Sequence, residues 1–527
     1  MSGRSFFRPE RFALFTTALS ALGLAVMVAA SLSLTEGAFF YTLDDPYIHL
    51  ALAESILEGG YGINDGEFAS PSSSILYPWL MAGSLALGLG TLGPFIVAAS
   101  FGLMGVWVVA RFVARLLLDD DSVLAAVVFV AMAVGLLLVL SILILPLNGM
   151  EHTVHVFGTA LALVGLYAVL VEEDRGSIWV VFVGVLICAT IRFEGLVLAG
   201  GAIAVLAWAR HWGAAAGLAL LVAVALGVYA VTMSSMGLPF FPSSVMTKSN
   251  VAAEASEGSV FGLLAGILEN FQSSIRSGRG LTMALAAAVL LAMCVDSRFS
   301  ARERVFFGLV SAVLAGQVVG GQFNYYSRYE AYSVAAMVIG VVALMVAHGG
   351  RMAGLALGLA LSMGIYAMPF GIMIAKTPAA TANIYQQQYQ MHRFTETFFP
   401  APVAVNDLGW VAYQNDNYVL DLWGLGSEEA RQLTAAGGWT AQKLDEITAR
   451  HGIAYAMIYD DWFDDIPDTW CLAAYLITSH VTSASATVSF YLIDLDRVAE
   501  MDAALPKFAE ALPDGARLET FACGPAS

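Results

Sequence analysis

The sequence predicts a polytopic α-helical membrane protein of about eleven spans, followed by a small C-terminal α/β domain outside the cytoplasm. Three observations predict it. Hydrophobic residues make up 58% of the chain and charged residues 13%, and mean hydropathy is +0.74; soluble domains carry about twice that charge. Apolar runs of membrane-spanning length recur between residues 12 and 375, and a span needs roughly 17–25 such residues. From residue 377 onward the long apolar runs stop and Asp and Glu accumulate, the pattern of a separate water-facing domain (377–527) behind a membrane domain (1–376). The net charge of −18 argues against a nucleic-acid partner, which would select a basic face.

Arg4, Arg8 and Arg11 precede the first apolar run, 12–34. A signal-peptide core is shorter, so this run reads as a retained helix with its N-terminus in the cytoplasm. Residues 35–74 form the first outer loop. Residues 75–90 are apolar but short and glycine-rich, an interfacial or re-entrant helix. Further spans are expected over 94–117, 122–145, from the segment 148–152 to about 172, and over 178–191, 194–209 and 213–233. A polar outer segment follows over 234–280. The remaining spans are 281–295, one leading to 324–330, one returning to His348 and Arg351, and 352–375. This puts Arg111, Arg115, Arg210, Arg298, Arg302, Arg304 and Arg351 in the cytoplasm. Arg192, Lys248, Arg276, Arg279, Arg328 and Lys376 are left at the outer border. Basic residues favour the cytoplasmic side, so the second group calls for a function.

In the tail, 403–407, 418–422, 453–459 and 487–493 read as strands, and 428–436, 439–450 and 496–511 as helices. Asp407 and Asp421 fall at strand ends near Trp410 and Trp423. They serve either turn chemistry or contact with a glycan. The acidic run from Asp460 to Asp468 reads as a solvated loop. Cys188 and Cys294 lie in apolar runs as packing residues. Cys471 and Cys523 lie in the tail, as two free thiols or, outside the cell, as a disulfide.

Asp44-Asp45-Pro46-Tyr47-Ile48-His49 heads the first outer loop. Ionisable residues at a membrane border are functional by default, although a carboxylate there also caps a following helix. The same face receives Asn148 to His152 with Glu151, the break Arg192-Phe193-Glu194-Gly195, the run from Gly237 to Lys248, and Arg328. Glu151 also fits a first-turn helix charge, Arg192 and Glu194 a structural ion pair, Lys248 a solvated lysine, and Arg328 packing among Tyr326 and Tyr329. Carboxylates and cations gathered on one face suit sugar transfer from a lipid-linked phosphate. A carboxylate takes the acceptor hydroxyl's proton, and Arg and Lys offset charge on the departing phosphate. On this chemistry Asp44 and Asp45 stand among the candidate carboxylates, Arg192, Lys248 and Arg328 face the donor phosphate, and Tyr47, His49, Glu151 and Glu194 face the substrate. No spacing of His, Cys and Asp suggests zinc, and no nucleotide-binding loop is present.

These segments, with Ala53-Glu54-Ser55-Ile56-Leu57-Glu58-Gly59-Gly60-Tyr61-Gly62, Ser70-Pro71, Asn148-Gly149-Met150-Glu151, Ser327-Arg328-Tyr329, Asn406-Asp407-Leu408-Gly409 and Asp421-Leu422-Trp423-Gly424-Leu425, resemble GT-C-fold membrane glycosyltransferases that use polyprenyl-phosphate sugars. The chain is most similar to bacterial terminal arabinofuranosyltransferases and more distantly to lipid A aminoarabinose transferases and protein O-mannosyltransferases. The resemblance implies an inverting transfer of one sugar to an envelope glycan, lipid or protein, on the extracytoplasmic face of a multi-pass protein of the cell membrane. An aspartate of the first outer loop, Asp44 or Asp45 with a slight preference for Asp44, is then the base. A divalent cation, magnesium or manganese, stays an open requirement. Phe193 departs from the family, where proline often stands between the arginine and the glutamate. A transporter or flippase of a lipid-linked or anionic sugar is the rival reading, but it predicts internal repeats, and none is visible. A third reading is a non-catalytic envelope assembly factor.

Overall fold

The computed structural model describes residues 8–117, 123–248, 260–323, 326–347 and 353–523, with the backbone alone for residues 123–128, 248, 260, 353–363, 365 and 366. Helices α1 (Pro9–Leu32), α2 (Asp45–Leu57), α3 (Tyr77–Ala86), α4 (Gly93–Leu117) and α5 (Val123–Val139) come first. The short α6 (Leu145–Asn148), α7 (His152–Leu170), α8 (Ile178–Ile191), α9 (Gly195–Trp208) and α10 (Trp212–Ser235) follow. After α11 (Ser243–Lys248) come α12 (Val260–Arg276), α13 (Gly278–Met293), α14 (Ala301–Gly320), α15 (Ala331–Ala347) and α16 (Ala353–Gln386).

Among the described residues five helices are long and apolar enough to cross a membrane, α1, α4, α7, α10 and α14. The pair α12–α13, bent by 104°, makes a sixth if counted as one span. Helices α8, α9, α15 and the described part of α5 are apolar but shorter. The interfacial or re-entrant helix expected over 75–90 corresponds to the ten-residue α3, too short to span. The polar segment expected over 234–280 instead contains the 17-residue α12. Its Glu269, Asn270 and Gln272 lower the average hydropathy without breaking its helical period. The lysine of α11 is placed by its backbone alone, and Asn324, Tyr325, His348 and Arg351 lie outside the described residues.

The helix expected over 352–375 continues to Gln386, 34 residues in all. At 1.5 Å per residue it is roughly 50 Å long, well over the ~30 Å apolar thickness of a bilayer. It leads into α17 (Gln388–Arg393) and the tail. There β1 (Val403–Val405), α18 (Gly409–Ala412), β2 (Val419–Asp421), α19 (Glu428–Ala435), α20 (Ala441–Arg450), β3 (Tyr455–Ile458), β4 (Cys471–Ile477), β5 (Thr487–Leu492), α21 (Val498–Glu510) and β6 (Arg517–Thr520) follow. The strands form one mixed sheet in the order β2-β1-β3-β5-β4-β6. β1 pairs in parallel with β2 and β3, and the remaining neighbours run antiparallel. Strands β4 and β6, absent from the sequence reading, complete it. Cys471 in β4 is joined to Cys523 by a disulfide, with Cα atoms 5.7 Å apart.

The alternation of strand side chains divides the sheet's two faces between two cores. Ala404, Ala456 and Ile458 pack with Leu444, Ile447 and Trp439 under α19 and α20. Val403, Val405, Tyr455 and Met457 face the other way and pack in one cluster with Phe40, Tyr41, Tyr47 and Ile48 of the first loop and α2. The tail therefore shares a hydrophobic core with the loop 35–74.

Candidate functional site

Asp44, Glu151 and Glu194 occupy the N-cap positions of α2, α7 and α9, and none of them makes a side-chain cap hydrogen bond. An acidic residue at that position ordinarily accepts an amide of the helix's own first turn. Here the carboxylates of Asp44 and Glu151 bond to other segments and that of Glu194 to Arg192, two residues before it, so side-chain capping does not account for them.

Glu151 is fully buried. It accepts from Arg192 Nη1 at 2.6 Å and from Ser73 Oγ at 3.0 Å, and His49 Nε2 lies 3.8 Å from its second oxygen. Arg192 stands in extended backbone where α8 ends and also donates to both oxygens of Glu194, at 3.1 and 2.8 Å. The return of the chain into α9 is tight: a Cβ on Gly195 would lie 2.1 Å from the Cys188 carbonyl oxygen. Phe193, between the paired Arg192 and Glu194, packs edge-on against Phe240 and Phe241, fixing the loop before α11.

Arg328 is buried and lies 3.2 Å from Asp45, whose side chain is 19% exposed. Its guanidinium also sits over the Tyr329 ring at 5.0 Å, and Arg192 approaches the same ring at 5.4 Å. The two residues before Arg328, Tyr326 and Ser327, both have left-handed backbone, φ 62° and 58°, a strain of roughly 1–3 kcal/mol per residue. Arg279 braces this turn by donating to Ser327 Oγ at 3.1 Å and to Glu330 at 2.8 Å. Arg279, one of the cations expected at the outer border, thus holds the loop that presents Arg328. Asn148 ties the same loop to the first, accepting from Thr42 Oγ1 at 2.7 Å and donating to the Tyr326 carbonyl at 3.4 Å.

These groups meet at a cavity of about 280 Å³. Of the residues expected at the site, Asp45, Arg192, Glu194 and Arg328 line it. Glu151 and His49 lie behind the wall, joined to it through Arg192. The backbone of Lys248 lies in α11, three residues past the lining Val245. Asp44 and Tyr47 turn toward the tail. Asp44 accepts the Trp410 amide at 2.9 Å, and the Tyr47 ring packs on Trp410 with centroids 4.1 Å apart. The lining also includes Ser73, His152, Gln322, Tyr329 and Tyr332, which the sequence reading did not assign. Tyr329 was signalled by its place beside Arg328. Ser73, in a run of serines, carried no distinguishing pattern. Among the described residues no group of three or more His, Cys, Asp or Glu side chains is arranged to hold a metal ion.

The two neighbouring aspartates have different partners, Arg328 for Asp45 and backbone amides for Asp44. Burial raises the Asp44 carboxyl well above the usual carboxylate range, Asp407 and Asp45 push the same way, and the Trp410 and Gly409 amides pull against them. A Cβ on Gly409 would lie 2.4 Å from Asp44 Oδ2, so glycine permits this approach. Residues 382–491 match the family described as a domain of unknown function (DUF8728). That region runs from the end of α16 to β5 and contains Asp407, Gly409 and Trp410. No curated protein matches the chain.

Of the tail's acidic motifs, Asp421 serves turn chemistry, whereas Asp407 bonds to side chains distant in sequence. Asp421 accepts the amides of Trp423, Leu425 and Gly426 at 2.9, 2.6 and 2.7 Å. Asp407 accepts from Gln388 and the Tyr459 hydroxyl. Trp410 is buried in the shared core. Asp461, Asp464, Asp465 and Asp468 are exposed.

Proposed function

We propose that this protein is an inverting membrane glycosyltransferase that moves one sugar from a polyprenyl-phosphate donor to an envelope glycan, lipid or protein. Asp45 is its general base. The observation that carries the reading is the Asp45–Arg328 pair at 3.2 Å in the wall of a cavity that Arg192 and Glu194 also line. At rest the acids and guanidiniums neutralise each other. An entering donor phosphate competes for Arg328, which offers five N–H donors, and releases the Asp45 carboxylate. Asp45 then takes the proton of the acceptor hydroxyl as its oxygen bonds to the anomeric carbon, and the bond from that carbon to the phosphate oxygen breaks. Arg328 and Arg192 offset the charge left on the polyprenyl phosphate. Val197, Phe241 and Val245 in the lining suit the first isoprene units.

In this reading the chain has a GT-C arrangement of about eleven spans, with its N-terminus in the cytoplasm and the tail outside. The helix α16, longer than a bilayer is thick, supports the tail's projection into water. The test is turnover of purified protein with radiolabelled polyprenyl-phosphate sugars, read as release of lipid phosphate. Asp45→Asn is expected to lower the rate by about 10²–10⁴-fold, while Asp44→Asn keeps most of it. Full activity in Asp45→Asn, or uphill movement of the lipid-linked sugar without release of lipid phosphate, would overturn the reading.

A further inference from the structure

Three helices that reach the cavity just described also reach a second one at their other ends. Helix α7 has His152 at the first cavity and Leu170 at the second; α9 has Val197 and Trp208; α14 has Gly316 and Arg302. The chain through α8 joins Arg175 at the second to Arg192 at the first. Helix α7 is 19 residues long, so the two cavities are separated by roughly 28 Å, close to one bilayer's apolar thickness. They occupy opposite borders.

The second cavity, of about 240 Å³, is lined by Arg175, Arg210, His211 and Arg302 against the single carboxylate of Glu173. Glu173 pairs with Arg302. Neighbouring acids are engaged elsewhere: Glu172 with Arg115 at 3.0 Å, and Asp174 with the Gly176 amide and the Ser177 hydroxyl. Among the described residues Arg175 and Arg210 have no carboxylate partner, and the cavity carries excess positive charge. Two rim residues, Glu173 and Arg210, have left-handed backbone, φ 60° and 63°, although neither is glycine. Around the same border stand three exposed tryptophans: Trp179 near the start of α8, Trp208 at the end of α9 and Trp212 at the start of α10, exposed by 68%, 48% and 66%. Exposed indoles at helix ends mark the headgroup level of a bilayer.

We infer that this second cavity binds the phosphate of an anionic phospholipid headgroup, with Arg175 and Arg210 as its principal ligands. An orientation signal needs only net positive charge near the helix ends. A concave site at headgroup depth, with cations from three separate segments converging on it, is what a phosphodiester requires. The inference does not depend on the reaction at the other border.

The experiment compares melting temperatures of the full-length protein in detergent with added phosphatidylglycerol, phosphatidylcholine or inorganic phosphate, for wild type, Arg175→Gln/Arg210→Gln and Arg111→Gln. Arg111 is a basic residue outside the cavity, paired with Glu10. Phosphatidylglycerol should stabilise wild type and Arg111→Gln more than phosphatidylcholine does, and bind the double variant about thirtyfold more weakly, at the worth of one basic residue each. Equal protection by inorganic phosphate would support the phosphate site and assign it to the free ion. Equal effects of the two lipids on wild type, or a double variant that binds as wild type does, would overturn the inference. Should the double variant not fold, a photoactivatable phosphatidylglycerol on wild type decides. Crosslinks concentrated in residues 173–177 and 208–212 support the site, and crosslinks spread over all helix ends overturn it.

Discussion

At Arg192 one buried guanidinium serves two carboxylates, Glu151 at 2.6 Å and Glu194 at 2.8 Å. Removing it strands Glu151, which is fully buried, so Arg192→Ala is expected to cost about 3–5 kcal/mol, seen as a lower melting temperature and a loss of folded protein. Arg192→Lys keeps the charge but lacks the planar fork that meets Glu194, and it should fall between the two. Arg328→Ala should instead act mainly on turnover, since Asp45 keeps access to solvent when its partner goes. The two aspartates illustrate what a sequence can and cannot separate. Their shared position just past a long apolar run was legible as a charge in an apolar context. Which one faces the cavity depends on Trp410, 366 positions beyond Asp44, and no local pattern carries that. Phe193 was legible only as an aromatic residue between two charges. Its packing on Phe240 and Phe241 was not.

Among the elements, the long apolar helices announced themselves because each contains enough consecutive apolar residues to span without help from tertiary structure. Helix α12 did not, since its apolar face alternates with Glu269, Asn270 and Gln272 and an average over the segment hides the period. Strand β6, Arg517-Leu518-Glu519-Thr520, is an edge strand with mostly exposed side chains, so it lacks the alternation that reveals a half-buried strand. The turn after β2 offers a test by pH. Burial pushes the Asp421 carboxyl up to about 6, against the pull of the Gly426, Trp423, Leu425 and Gly424 amides. A raised folded-state value means that the folded form holds its proton more tightly. The associated stability is present below the unfolded value near 4 and is lost as pH rises through about 6. Melting curves should therefore show a decline over that interval in wild type that Asp421→Asn lacks, although the variant starts lower because an amide nitrogen cannot accept the Leu425 and Gly426 N–H groups. Gly409→Ala should destabilise by about 1–3 kcal/mol, as its methyl meets Asp44.

For the whole molecule, the tail is anchored twice, by the continuous helix α16 and by the first loop. Beyond the shared core, Asn64 both donates to the Val419 carbonyl at 3.0 Å and accepts its amide at 2.9 Å, so its side chain satisfies backbone groups of the edge strand β2. The Tyr418 hydroxyl donates to Glu67 at 2.9 Å, and Gln414 donates its amide to Glu54 at 3.1 Å. A chain cut after residue 376 should consequently lose activity and aggregate, because Phe40, Tyr41 and Tyr47 lose their cover; size-exclusion chromatography in detergent checks this. Cys523→Ser opens a cross-link spanning 52 positions and should cost about 2–4 kcal/mol, measurable as a fall in melting temperature that reductant reproduces in wild type.

The core shared between the first loop and the tail also sets a timetable for biosynthesis. Phe40, Tyr41 and Tyr47 are made early, whereas the strands that cover them emerge more than 350 residues later. At about 5–20 residues per second, the ribosome leaves those rings uncovered for roughly 20–70 seconds. A nascent chain in that interval presents a sticky aromatic surface beside the bilayer, which a chaperone or the lipid interface itself must shelter until the last strands arrive.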